Sequence, residues 1–195
     1  ASAAEVIPLL DIEMGQVSNL FTNSNGELCY IYSTYMTEEE PNRIFVRKLG
    51  ADGTILSETE VTEAHKEMKS SFNASEDKKS VTHITLDGED NIYFASLDEN
   101  GYIELINNSG ELNSSISLGA SVPRSMCTGS DGSVYAVRHE NDENKILMVD
   151  GEKKKLIEKI SIPDTTGIGI LGAGLDGNLL YGNHVYLYSL NPITL

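Results

Sequence analysis

The residues best suited to chemistry in this chain are carboxylates and imidazoles that recur between short apolar runs. Glu38, Glu39 and Glu40 form one group, Asp98 and Glu99 a second, and Glu140, Asp142 and Glu143 a third, with His139 and His184 nearby in the pattern. Side chains of these types on one face would form an anionic, hydrogen-bonding surface suited to cations, basic partners or a polar solute. The candidate ligand-binding residues are therefore Glu38, Glu39, Asp98, Glu99, Glu140, Asp142, His139 and His184. A catalytic or metal set is not read. None of the four histidines stands at metal spacing from another, and neither His-Glu-x-x-His nor Gly-x-Ser-x-Gly occurs. Cys29 and Cys127 have no recognisable basic partner to activate a thiol. Gly167 to Gly172 matches G-x-G-x-x-G literally, but the Asp176-Gly177 hairpin signal follows where a phosphate-binding loop needs a helix. No cofactor is expected.

Composition narrows the partners. The chain has 195 residues and a formal charge of −16, from 30 acidic and 14 basic side chains. So negative a surface repels phosphate backbones and anionic lipid, and the expected partner is a small solute or a protein, not nucleic acid. No apolar run approaches the roughly 18 residues that cross a bilayer as a helix, so no membrane insertion is expected. Two cysteines are too few for a disulfide framework, and they fall at different repeat positions, which argues against pairing. The first residues, Ala1-Ser2-Ala3-Ala4-Glu5, have the small polar character of a stub after a removed signal or lipid anchor.

The elements that must position these side chains are legible as a repeat. A turn with Gly or Asn followed by an apolar, aromatic run occurs at Asn25-Gly26, Asp90-Asn91, Asp131-Gly132 and Asp176-Gly177. A second turn series, at Asp52-Gly53, Ser109-Gly110, Asp150-Gly151 and Asn191-Pro192, runs in phase with the first. Gly and Asn suit hairpins because they tolerate positive φ. Each unit then reads as strand A, tight turn, strand B, longer loop, strand C, tight turn and strand D. Four antiparallel strands repeated about every 40–45 residues are the pattern of propeller blades. The expected fold class is all-β, a β-propeller of four-stranded antiparallel blades over about 13–61, 80–118, 122–162 and 167–195. A β-sandwich would need seven to nine strands, not sixteen. In this arrangement the B–C and D–A loops share one face and the tight turns the other. One helical turn is expected around Ala64–Lys69, and a last D strand from Ile193. Residues 1–12 form a closing-strand candidate, and the reading favours four blades of a larger ring over a closed ring of four.

Asp131-Gly132-Ser133-Val134-Tyr135 and Asp176-Gly177-Asn178-Leu179 resemble the hairpins of NHL-like bacterial propeller units. The last unit, with Leu180-Tyr181-Gly182-Asn183 and Val185-Tyr186-Leu187-Tyr188, is similar to a propeller segment N-terminal to some Gram-positive extracellular solute-binding proteins. That resemblance implies an extracellular or cell-surface, non-catalytic binding or scaffold module associated with a solute-binding protein of an ABC transporter. It transfers no functional residue. The rival expectations are a propeller enzyme of lactonase or lyase type and a protein–protein interaction platform.

Overall fold

The computed structural model describes residues 15–34, 43–67, 81–96, 102–118, 123–163, 169–174, 176–183 and 185–195. Four antiparallel sheets follow one another along the chain as the four blades of a β-propeller. Blade 1 holds β1 (Gly15–Thr22), β2 (Leu28–Thr34), β3 (Ile44–Leu49) and β4 (Ile55–Glu60), and a short helix α1 (Thr62–Glu67) follows it. Blade 2 holds β5 (Val81–Leu86), β6 (Ile92–Ser96), β7 (Tyr102–Ile106) and β8 (Leu112–Ser117). Blade 3 holds β9 (Ser125–Thr128), β10 (Val134–Glu140), β11 (Glu143–Asp150) and β12 (Lys155–Pro163). Blade 4 holds β13 (Ile170–Ala173), β14 (Leu179–Gly182) and β15 (Leu187–Leu190). Each blade is a meander in chain order. The fourth differs from expectation: residues 191–195 form a turn, with the Thr194 and Leu195 N–H groups donating to the Asn191 carbonyl, so no strand starts at Ile193.

The second strand of each blade explains how the blades stack. Side chains alternate across a sheet, and in blades 2 and 3 both sets are apolar because both faces meet a neighbouring blade. Cys29 and Ile31 face Phe94 and Ile92 between blades 1 and 2. Tyr93 and Ala95 face Val134 and Ala136 between blades 2 and 3. Tyr135 and Val137 face Leu179 and Tyr181 between blades 3 and 4. Burying a side chain of this size contributes roughly 1.5–3 kcal/mol, more than an exposed ion pair, which contributes at most about 1 kcal/mol. The stack is therefore held mainly by these three apolar seams. Polar stitches align the innermost strands: the Ser125 hydroxyl donates to the Leu171 carbonyl and accepts from the Leu171 N–H. The Thr85 and Thr128 hydroxyls meet at 2.6 Å.

Six hairpins share one five-residue turn. In each, the first residue's N–H donates to the fifth carbonyl and the fourth N–H donates to the first carbonyl, over 23–27, 50–54, 87–91, 107–111, 129–133 and 174–178. The fourth residue has positive φ, Gly in five cases and Asp90 (φ 63) in one. This is a type I turn closed by a left-handed residue. Three turns begin with Asn23, Asp87 or Asn107, whose side-chain oxygen accepts from the third and fifth N–H groups. The other three begin with glycine and place Asp52, Asp131 or Asp176 third, its carboxylate accepting from the fifth N–H.

Two glycines in this turn have different second duties. Gly26 (φ 75) faces open space, whereas a Cβ on Gly110 (φ 88) would sit 2.1 Å from the Glu60 carbonyl oxygen of blade 1. Gly26→Ala should cost about 1 kcal/mol, the left-handed backbone penalty alone. Gly110→Ala should cost more than about 2 kcal/mol, because the blade 1–2 seam must also open. Urea midpoints of the two variants compare them directly, and equal losses would contradict the seam geometry.

Candidate functional site

Among the candidate residues, Glu38, Glu39, Asp98, Glu99 and His184 lie outside the described residues. The other three sit at the β10–β11 hairpin. The longer loop expected there is instead a two-residue turn, Asn141-Asp142, with φ of 52° and 59° at its two residues. Successive left-handed residues form the tightest hairpin connection, and Asn and Asp tolerate them best among non-glycine residues. Glu140 and Glu143 are therefore paired strand residues rather than loop residues.

Their side chains are engaged within blade 3. Glu140 lies 2.9 Å from Arg138 and 3.2 Å from Lys145. The Lys145 hydrogen bond and the Arg138 charge hold its carboxyl below the usual carboxylate range. Glu143 accepts a hydrogen bond from Ser161. His139 Nδ1 lies 3.2 Å from the Asn144 side-chain oxygen, and the buried Asn144 amide donates to the Tyr181 hydroxyl at 2.7 Å. This chain of contacts ties the third hairpin to blade 4.

A cleft of about 580 Å³ opens on the opposite, tight-turn face, between blades 2 and 3. Asp87, Glu89, Asp131, Asp150 and Glu152 line it, with no Lys or Arg among the lining residues. Its base is closed by direct backbone contact, the Gly88 N–H donating to the Gly132 carbonyl at 3.0 Å. A Cβ on Gly88 would come within 3.1 Å of the Gly132 Cα, so a side chain there would part the two turns.

The five carboxylates divide into two kinds. Asp87 accepts from the Glu89 and Asn91 N–H groups, both at 2.9 Å, and from the Asn91 amide and Tyr93 hydroxyl. Asp131 accepts from the Ser133 N–H and the Tyr135 hydroxyl. Asp150 accepts from the Lys153 N–H at 2.9 Å, the first reason its carboxyl is held low, and pairs with Lys153 Nζ at 3.3 Å. These three hold turns in shape. Glu89 and Glu152 are exposed on the rim, and no described side chain pairs with either carboxylate. They are free to meet a ligand.

The turn-face residues do little acid–base work near neutral pH. Burial, followed by the charge of the adjacent Asp87, pushes the Tyr93 hydroxyl up. Burial and the hydrogen bond to Asp131 do the same to Tyr135. The two cysteines are free and lie at different seams, Cys29 between blades 1 and 2 and Cys127 between blades 3 and 4. Burial raises their thiols to about 11 and about 12, which keeps both protonated and poorly nucleophilic. Among the described residues, no three His, Cys, Asp or Glu side chains converge as a metal-binding group.

The cleft residues were visible in the sequence only as turn formers. One signal could have marked them: an Asp at the turn followed four or six residues later by Tyr, as in Asp131–Tyr135 and Asp87–Tyr93. What it could not show is that two such turns from successive blades face each other.

No family model matches the chain, and no curated protein matches it. Solved structures do. The Dos1 propeller matches with 11% identity and a TM-score of 0.48, over 86% of this chain and 53% of its own. Hydrazine synthase of Kuenenia stuttgartiensis matches with 11% identity and a TM-score of 0.46, over 88% and 57%. Regucalcin, a calcium-binding protein from Agrobacterium tumefaciens, matches with 12% identity and a TM-score of 0.41, over 87% and 55%. The chain spans little more than half the length of these structures. At such identities no activity or ligand carries over from them.

One histidine on the innermost strands links this architecture to pH. His83 on β5 is half-buried, and burial lowers its pKa below 6.5, opposed by hydrogen bonds to the backbone of Arg124 and Pro123. The unfolded chain therefore takes up the proton first, and the folded state loses stability as pH falls through 6.5 towards the depressed value. The low-lying carboxylates titrate only below this window. The urea midpoint should fall between pH 7.5 and 5.5, and His83→Asn should flatten that fall. An equal decline in the variant would assign the effect elsewhere.

Proposed function

We propose that this propeller is a non-catalytic binding module that engages a basic partner, or a solute bearing cationic groups, through the turn-face cleft. The observation that carries the reading is the lining: five carboxylates and no Lys or Arg, with Asp150 paired to Lys153 beside the cleft and Glu89 and Glu152 unpaired at the rim among the described residues. Charge of one sign around a concave surface focuses the field and raises the local concentration of the opposite charge. The net charge of −16 adds to this at long range. The three turn carboxylates are already hydrogen-bonded, so the cleft is preorganised and binding need not order them.

The finer form of the proposal is an extracellular or cell-surface setting and association with a solute-binding protein of a transporter. Its support is the resemblance carried by Leu180-Tyr181-Gly182-Asn183 and Val185-Tyr186-Leu187-Tyr188. The rival, a lactonase- or lyase-type propeller enzyme, is separated by a simple measurement. A melting temperature raised by millimolar Ca²⁺ or Mg²⁺ would favour the enzyme, and indifference to both would favour the module.

The test uses tetralysine as the probe, titrated calorimetrically at 50 and 300 mM NaCl. Binding should weaken steeply with salt. The double variant Glu89→Gln, Glu152→Gln should bind about tenfold more weakly, from roughly 0.7 kcal/mol for each exposed charge. Its melting temperature should not change, since neither side chain is used in the fold. Unchanged affinity in that variant, or binding indifferent to salt, would remove the cleft from consideration.

A further inference from the structure

We propose that the outward face of blade 4 is a docking surface for a further propeller blade, outside the four described here. Blades 2 and 3 each use one face against the blade before and the other against the blade after. Blade 4 packs Leu171, Leu179 and Tyr181 against blade 3. The alternation then sends Ile170, Leu180 and Leu187 to the opposite face, where Ile170 is 66% and Leu187 75% exposed. Val185 and Ile193 are exposed too, at 69% and 84%. In blades 1 to 3 the corresponding positions, such as Ile31, Ala95 and Val137, are buried in a seam.

Charge points the same way. Between residues 165 and 195 Asp176 is the one Asp, Glu, Lys or Arg, in a chain that carries 44 such residues overall. Solvent-exposed sheet edges are normally blunted by charge, especially Lys, or by proline within the strand. β15, Leu187-Tyr188-Ser189-Leu190, has neither, and within the described sheet its outer edge lacks the fourth strand that blades 1 to 3 possess. An apolar face beside an unprotected edge suits burial by another sheet, not water.

The occupant is specified by the seams already present. It is an antiparallel sheet whose second strand carries two apolar residues two positions apart, as Ile92 and Phe94, Val134 and Ala136, and Leu179 and Tyr181 do. A second copy of this chain does not supply that surface. The equivalent face of blade 1, formed by Tyr30, Tyr32, Phe45 and Leu49, is already buried within the chain.

The test takes the native protein from its own cells, measures its intact mass, and follows hydrogen exchange by mass spectrometry. The expected result is a polypeptide well above 21.3 kDa in which the amides of 185–190 exchange as slowly as those of Val134–Glu140. In that protein Leu187→Asp should selectively speed exchange over 185–190 by at least tenfold and leave 28–34 unchanged. A native polypeptide of 21.3 kDa overturns the proposal, as does a longer one in which 185–190 exchanges fast. A discrete dimer of the 21.3 kDa chain, lost in Leu187→Asp, also overturns it by assigning the face to a second copy. None of these outcomes bears on the turn-face cleft, which is probed separately by ligand.

Discussion

The structure depends on one requirement: a sheet pressed between two others must be apolar on both faces. A strand with water on one side can alternate apolar and polar residues, but the second strands here cannot. Cys29-Tyr30-Ile31-Tyr32, Ile92-Tyr93-Phe94-Ala95 and Val134-Tyr135-Ala136-Val137 are each four consecutive buried residues. Tyrosine satisfies the requirement at the blade rim because its ring fills the seam while its hydroxyl reaches the turn. Tyr93 reaches Asp87 and Tyr135 reaches Asp131 in this way. The turn carboxylate that orders the hairpin is thus also the partner that allows an aromatic residue into the seam.

The cleft follows from that packing. Tight five-residue turns from blades 2 and 3 approach until Gly88 and Gly132 touch, and the space beside that contact is ringed by the acids that build the turns. Its negative lining is in part a by-product of turn chemistry. Only Glu89 and Glu152 go beyond what the hairpins need, which is why the functional reading turns on those two and not on the more numerous aspartates.

Much of the architecture was legible because it is local. Asp-Gly and Asn-Gly pairs followed by apolar runs reveal the repeated four-stranded antiparallel unit, and the helical turn expected after blade 1 is α1. The misreadings have nonlocal or short-range conformational causes. The repeat predicts a longer acidic loop around Asp142, yet Asn141 and Asp142 both adopt the left-handed conformation that closes a two-residue hairpin. Ile193 was assigned to a strand by repeat phase alone, whereas the Asn191 side chain and carbonyl curl the backbone into a turn. The cleft was missed altogether, since its walls come from Asp87 and Asp131, which are 44 positions apart.

The shared turn has a consequence for how these repeats can drift. A Cβ on Gly50, Gly129 or Gly174 would fall 2.7–2.9 Å from the carboxylate of the Asp two residues on, where a first-position Asn or Asp side chain would otherwise begin. The two arrangements close the same backbone ring with a different side chain, and the turn from Asn23 holds Asn25 in its third place as well. A lineage can pass from Asx-first to Gly-first with the hairpin unmoved, provided the third position supplies the acceptor when the first gives it up. Blades of common descent can then share a shape while their turn residues no longer align by type. Recognition of such repeats is better served by a paired-position rule than by a column of single preferences.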